Sequence, residues 1–489
     1  MPARLALTIV ATLLAVVLVH AQGERREVSL VISGGTVVTM DAERRVIENG
    51  AVAIDGSDIV AVDTAAAVRA AFVGRENIDA AGRIVMPGLV NTHTHAAMVL
   101  YRGLADDLAL MDWLQNYIFP AEARTVSPEF VRAGTRLAAL EMIESGTTTF
   151  ADMYYFEEEV ARETKRAGLR GVLGQTIIQF PVPDAMTPAD GLARAEAFIR
   201  AFRDDPLITP AAAPHAMYTL DGPTLLAARQ LSRRYGVPTL IHLAETQGEE
   251  ATAQERFQSS PVAYLETLGF LGPGVLAAHG VWVSPSDIAR LAERGVSVSH
   301  NPESNMKLAS GTAPVPAYLR AGVTVGLGTD GAASNNDLDM FEAMRITALL
   351  HKLQSGDPRV TSAGTVLEMA TLGGARALGL DRLVGSLERG KRADLVVVDM
   401  DRARQTPLYD PVSHLVYVTR GDDVRTVVVH GRVLMRDREV LTLDRDAVLH
   451  EARAWALRVR EAVRPSADPP AAGTAPADPP RAAGQGLSR

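Results

Sequence analysis

Between residues 84 and 384 the chain repeats one texture eight times: a short, almost continuously apolar run, then a longer amphipathic segment. The runs are Ile84–His95, Thr147–Met153, Arg170–Ile178, Ile208–Met217, Pro238–Glu245, Val275–Trp282, Ser297–Pro302 and Thr324–Gly331. Intervening segments such as Pro128–Ser145, Asp190–Arg203 and Gly222–Tyr235 carry a helical pattern. Strands that are apolar on both faces belong in a parallel sheet covered by helices. Eight such units in succession predict a closed TIM-type (β/α)8 barrel. An open doubly wound sheet competes with it, but no Gly-x-Gly-x-x-Gly follows an early strand to cradle a dinucleotide.

Outside this stretch the texture changes. Val28–Ile32, Thr36–Met40, Gly50–Asp55 and Asp58–Val62 read as short strands, punctuated by Gly34-Gly35, Asn49-Gly50 and Asp55-Gly56. The same texture returns in Arg392–Asp399, Val424–His430 and Val433–Met435. The expected architecture is α/β: a barrel over residues 84–384 and a small β-sandwich domain built from residues 22–83 and 385–445. A C-terminal helix is expected over 446–464, and the Pro- and Ala-rich residues 465–489 are expected to be disordered.

At the other end, Arg4 precedes the apolar run 5–19, and Val19-His20-Ala21 offers a small-residue cleavage site before Gln22. These features predict a signal peptide over residues 1–21 and an exported protein, periplasmic or secreted. The run is shorter than the roughly 20 residues of a membrane span. No stable membrane insertion is expected after cleavage; an uncleaved anchor is the alternative.

Composition then narrows the chemistry. The chain has no cysteine, which removes disulfides, thiolate metal sites and a cysteine nucleophile. Any transition metal must be held by His and carboxylate. The net charge is −9 and no basic stripe is present, so nucleic acid is not an expected partner.

The polar residues cluster at the ends of the apolar runs, where barrel active sites sit. His93 and His95 close the first run. Residues two apart on a strand share a face, so both rings can hold one metal. His215 ends the fourth run, His242 and Glu245 the fifth, His279 the sixth, His300 the seventh and Asp330 the eighth. A catalytic divalent ion needs three or four ligands and an open position, and His93, His95, His242 and Asp330 supply that set. Such an ion lowers the pKa of a water it holds to about 7. Glu245, His279 and Asp330 are then the candidates for proton transfer, with His279 also placed to bind a developing oxyanion. His215 stands at the fourth strand end in place of a Lys whose carbamate would bridge a second ion, so one metal is expected. The remaining histidines (His20, His351, His414, His430, His450) read as structural or solvated.

This order of motifs resembles the amidohydrolase superfamily, and within it the methylthioadenosine/S-adenosylhomocysteine deaminase branch, with chlorohydrolases and guanine deaminase nearby. The resemblance rests on Met86-Pro87-Gly88-Leu89-Val90-Asn91-Thr92-His93-Thr94-His95, Arg102-Gly103-Leu104-Ala105-Asp106-Asp107-Leu108, Trp113, Pro120-Ala121-Glu122, Pro214-His215, His242-Leu243-Ala244-Glu245-Thr246 and Ala278-His279-Gly280. It continues through His300-Asn301-Pro302-Glu303-Ser304-Asn305-Met306-Lys307-Leu308 and Gly328-Thr329-Asp330-Gly331-Ala332-Ala333-Ser334-Asn335-Asn336. It implies one divalent ion, zinc first and iron second, on His93, His95, His242 and Asp330. It also implies that Glu122 binds sugar hydroxyls, that His215 contacts substrate and that Trp113 lines the pocket, with Glu245 and Ser334 completing the substrate contacts. One departure is Gln175, which stands where related proteins carry an Arg for a substrate carboxylate; a neutral amide cannot form that charged pair. The export signal is a second.

The expectation is therefore a metal-dependent hydrolytic deaminase of an amino-substituted heterocycle, an adenosine- or methylthioadenosine-like nucleoside. Its partner is a small heterocyclic molecule, and a homo-oligomer is left open. Hydrolysis of another ring C–X or cyclic amide bond is the alternative enzyme. A metal-holding or solute-binding protein without turnover is the alternative of another class.

Overall fold

The computed structural model describes residues 25–463. The signal peptide expected at 1–21 and the tail expected to be disordered at 465–489 lie outside the described residues.

The apolar run Ile84–His95 is not one strand. It divides at Gly88, with Arg83–Pro87 in a mixed sheet and Leu89–Thr94 (β1) opening the barrel. A Cβ on Gly88 would lie 2.1 Å from Thr148 Oγ1, so no side chain fits where the backbone passes from one sheet to the other. Both pieces are buried, so hydrophobicity runs unbroken across the joint and hides it from a sequence reading.

The other barrel strands are β2 (Thr147–Tyr154), β3 (Arg170–Ile177), β4 (Ile208–Pro214), β5 (Thr239–Leu243), β6 (Val275–His279), β7 (Ser297–His300) and β8 (Val325–Leu327). All eight expected runs contribute, and they pair in chain order as parallel neighbours. Nearly every strand residue is buried, Thr209 and Ser297 being the partly exposed ones, as a sheet filled inside and covered outside requires. The edge strands β1 and β8 are joined without a regular ladder. Asp330 N donates to the His93 carbonyl at 2.9 Å, Asn91 Nδ2 donates to Thr329 Oγ1 at 2.7 Å, and Thr329 N donates to Asn91 Oδ1 at 3.1 Å. This seam sets Asp330 directly beside His93.

The covering helices begin and end where local chemistry dictates. Ser127 caps Pro128–Ser145 by accepting from Phe130 N, and Gly146, at φ 89°, ends it and turns the chain into β2. Asp221 and Gly236 do the same for Gly222–Tyr235.

The mixed sheet has nine strands drawn from both chain ends. Arg83–Pro87 lies between the two contributions, parallel to Arg26–Val38 and antiparallel to Leu395–Asp399. Leu30, Ile32, Val52 and Ile54 pack with Leu395, Val397 and Val428 in one apolar interior. The strand Phe72–Asp79 and the short helix Ala65–Ala71 before it had no counterpart in the sequence reading. That strand alternates exposure and carries Arg75, Glu76 and Asn77, so its apolar signal is thin.

Arg170, at the start of β3, ties the barrel to this sheet. Its Nε lies 2.9 Å from Asp394 Oδ2 with both side chains buried. The final helix, Arg445–Val463, lies on Pro128–Ser145 through the edge contact of Phe130 with Trp455 and the ion pair of Arg136 with Glu451. No helix among the described residues is long and apolar enough to cross a membrane.

Candidate metal centre and active site

The strand ends converge as expected. The His93 and His95 rings sit 4.9 Å apart between centroids, and the His93 and His242 rings 5.0 Å apart. Asp330 Oδ1 lies 3.4 Å from His93 Nε2 and 3.3 Å from His95 Nε2. His95 Nδ1 donates to the Met153 carbonyl at 2.7 Å, and His242 Nδ1 to the His215 carbonyl at 2.9 Å. In their neutral forms both rings have then spent their one N–H, so two Nε2 lone pairs face each other at 3.3 Å. His93 Nε2 is buried with no hydrogen-bond partner among the described residues. Burial pushes the His93 imidazole down to about 4 and holds His242 well below its ordinary value. Burial alone would raise the Asp330 carboxyl, but the His93, His279 and His95 rings outweigh it and hold it well below the usual range.

The Nε2 atoms of His93, His95 and His242 and the Asp330 carboxylate converge on one point, an arrangement that a cation between them would satisfy. The donor set therefore fits one divalent ion, and nitrogen with oxygen donors suits a borderline metal. The carbonyls that fix the Nδ1 protons are the outer contacts such a centre needs.

His279 also comes within ligand range of His93 and His242. Its surroundings separate it from them. Its Nδ1 meets Asn305 Oδ1 at 2.9 Å, and its Nε2 faces Glu245 Oε2 at 3.7 Å and Asp330 Oδ2 at 3.9 Å. Burial disfavours charge on this ring, but the two carboxylates outweigh burial and raise its pKa. A ring set between two acids is suited to carry a proton. Glu245 is itself buried, and burial raises its carboxyl. Asp330 Oδ2 accepts from Ser304 Oγ at 2.7 Å.

Three of these strand ends leave through left-handed backbone, with φ of 52° at Ala244, 76° at His279 and 65° at Asp330. Such conformations cost a non-glycine residue of order 1 kcal/mol each and cluster at functional sites. Here they turn the side chains inward at the rim. Tyr318 steadies the second turn by donating to the Gly280 carbonyl at 2.6 Å.

Above the cluster opens a cavity whose empty space, counted out into open solvent, is about 590 Å³. Trp113, Glu122, His215, Glu245 and Ser334 all line it. Glu122 is 4 % exposed and accepts from Tyr154 O–H at 2.7 Å; burial pushes its carboxyl up to about 7. His215 is anchored by Thr219 Oγ1 at 3.0 Å, and burial lowers its ring to about 3.

Two sequence expectations change here. Gln175 does not line the cavity: its amide donates to Asp184 Oδ2 at 2.9 Å, and the next residue, Thr176, reaches the wall instead. Successive strand side chains point to opposite faces, so a one-residue offset moves a group out of the site. His300 also turns away, its Nε2 3.1 Å from that of the buried His351. The sequence reading missed Tyr154, Tyr155 and Tyr218, which line the cavity. It also gave no role to Ser304 and Asn305, although both stand in the His300–Leu308 motif. Their signal was present, but only the short helix Pro302–Lys307 shows which partner each touches.

The model of the amidohydrolase family matches residues 84–434, the whole barrel together with the returning strands. The chain belongs to the amidohydrolase family. Among relatives of this amidohydrolase, a 5-methylthioadenosine/S-adenosylhomocysteine deaminase of Syntrophus aciditrophicus is 47% identical over 437 residues, 89% of this chain and 99% of the relative. A 5'-deoxyadenosine deaminase of Methanosarcina barkeri is 47% identical over 426 residues, 87% of this chain and 96% of the relative. The crystal structure of an adenosine deaminase from Xanthomonas campestris with bound zinc superposes with a TM-score of 0.88 at 41% identity, covering 89% of this chain and 100% of that one.

Proposed function

We propose that the protein is a zinc-dependent hydrolytic deaminase that replaces the amino group of an adenosine-type ring by oxygen and releases ammonia. The observation that carries the reading is the meeting of Glu245, His279 and Asp330 on one side of the His93–His95–His242 cluster. A divalent ion held by His93, His95, His242 and Asp330 supplies Lewis acidity that makes water a nucleophile near neutral pH. The relatives named above support an adenosine-type substrate.

The side chains divide the remaining work. Asp330 Oδ2 takes the proton that water loses as it adds to the amino-bearing carbon. His279 Nε2–H donates to the oxygen at that carbon. Glu245, whose carboxyl burial raises, gives its proton to the adjacent ring nitrogen. Asp330 returns its proton to the amine; as the C–N bond breaks and the carbonyl forms, the hydroxyl proton passes to the now ionised Glu245, and ammonia departs. Glu122 accepts from sugar hydroxyls, and His215 and Trp113 hold the ring system from the cavity walls.

Ammonia release from adenosine and methylthioadenosine by zinc-loaded protein, lost in Glu245→Gln at unchanged metal content, tests this. Metal binding with ligand affinity but no product from any purine, pterin or pyrimidine would overturn it. We also infer export, from Arg4, the apolar run 5–19 and Val19-His20-Ala21. A mature chain starting at Gln22 in the exported fraction supports that inference, and a full-length cytosolic chain ends it.

A further inference from the structure

We propose that Asp152 and Glu157 form a positioning pair behind the metal site: Asp152 clamps the backbone on both sides of His95, and one proton shared with Glu157 keeps that clamp in place. The proposal rests on the reading of His95 as a metal ligand and not on the choice of substrate.

Both side chains are fully buried, and no step of the deamination uses either. Asp152 stands near the end of β2, where its Oδ1 accepts from Ala96 N at 2.5 Å. The same oxygen lies 2.8 Å from Thr94 Oγ1, which divides its one proton between Asp152 and the Ala151 carbonyl. His95 sits between these two anchors, and its ring donates to the carbonyl of Met153, the residue after Asp152. The β1–β2 ladder is irregular at this point. Asn91 pairs with Phe150 and Thr94 with Asp152, so β1 advances one residue more than β2. A bulge of this kind leaves backbone groups without ladder partners. The Asp152 carboxylate, rather than a ladder carbonyl, therefore sets how the chain leaves His95.

The other oxygen of this carboxylate faces a second acid. Asp152 Oδ2 and Glu157 Oε2 are buried and meet no N–H or hydroxyl donor among the described residues. The two side chains are instead in hydrogen-bonding contact with each other. Glu157 Oε1 accepts from Tyr154 N at 2.8 Å. Two touching carboxylates in a buried site repel strongly if both are ionised. One proton between Oδ2 and Oε2 replaces that repulsion with a charge-assisted hydrogen bond. Glu157 is then the donor, and Asp152 keeps the negative charge that its two other donors favour.

The test measures zinc affinity by chelator competition against the folded holoenzyme, with melting temperature, kcat and KM beside it. Asp152→Ala is expected to weaken zinc binding about 10–100-fold, as for loss of an outer contact to a ligating His, and to lower kcat with KM unchanged. Asp152→Asn keeps an acceptor for Ala96 N and offers Glu157 an N–H; Glu157→Gln offers Asp152 an N–H. Either amide stands in for the protonated acid, so each variant should hold zinc within about threefold of wild type. The double variant Asp152→Asn/Glu157→Gln sets two amides face to face, and one contact is lost whichever way they turn. Its zinc affinity is expected to fall at least about tenfold, more than the two single losses together. Unchanged zinc affinity in a folded Asp152→Ala overturns the positioning role, even where the melting temperature drops. A double variant no worse than the single losses combined overturns the shared proton. If Asp152→Ala does not fold, the comparison of the double variant with the two single amides decides. If the wild type holds no zinc, the metal reading fails, and the proposal with it.

Discussion

Arg170→Met should destabilise the protein by about 4 kcal/mol, because it strands a buried carboxylate at the junction of barrel and sheet. Arg170 donates to Asp394 through Nε at 2.9 Å and Nη2 at 3.3 Å, and to the Pro206 carbonyl through Nη1 at 2.9 Å. The side chains of Arg170 and Asp394 are 4% and 1% exposed, so water screens neither. After the substitution, the His430 N–H at 2.7 Å is the remaining donor to Asp394. Hydrogen bonds to charged groups contribute about 1.5–3 kcal/mol each, and breaking one partner of a buried pair costs about 3–5 kcal/mol. Arg170→Met/Asp394→Leu removes both charges and should lose only about 1–2 kcal/mol, leaving a coupling energy of at least ~2 kcal/mol in the double-mutant cycle. Urea unfolding of the wild type, both single variants and the double variant gives the four numbers. A single-variant loss under about 1 kcal/mol, or strictly additive losses, would refute the claim that this pair acts as a buried lock.

Three further outcomes follow from the site and its surroundings. The Glu122 carboxyl lies near 7, and its ionised form is the better acceptor, so KM should fall as pH rises from 6 to 8; Glu122→Gln should remove that dependence while changing kcat less than KM. Asn305→Leu frees His279 Nδ1 and should lower kcat by about 100-fold with KM and metal content unchanged; equal losses of melting temperature and metal would point to a merely structural role. Burial depresses His351 to about 4 from an unfolded value near 6.5, so folding favours its neutral form. Its contribution, of order 3 kcal/mol, is complete above pH 6.5 and is lost as pH falls toward 4; the other buried histidines add to the same decline in urea titrations, and His351→Gln should make it shallower by about 1.4 kcal/mol per pH unit.

Much of this molecule was legible in one dimension because its constraints are local. A strand buried on both faces must be apolar throughout, so eight buried runs announced eight barrel strands. A metal needs lone pairs, and with no cysteine present only histidines and carboxylates at successive strand ends could provide them. His93, His95, His242 and Asp330 therefore stood out before any geometry was known. Gly88 shows the limit: burial is equal on either side of it, so hydrophobicity cannot mark where one sheet stops and another starts. Phe72–Asp79 shows another, since an edge strand with a wet face carries little apolar signal.

The chain's own order of residues determined the repeat, the ligand types and their place at strand ends, because periodicity and donor chemistry are properties of neighbours in sequence. Only the folded chain decided that His279 faces two carboxylates while His300 turns to His351, that Gln175 spends its amide on Asp184, and that Tyr154, Tyr155 and Tyr218 line the cavity. Those outcomes depend on which side chains from distant segments share a few ångströms of space, and no local pattern encodes that.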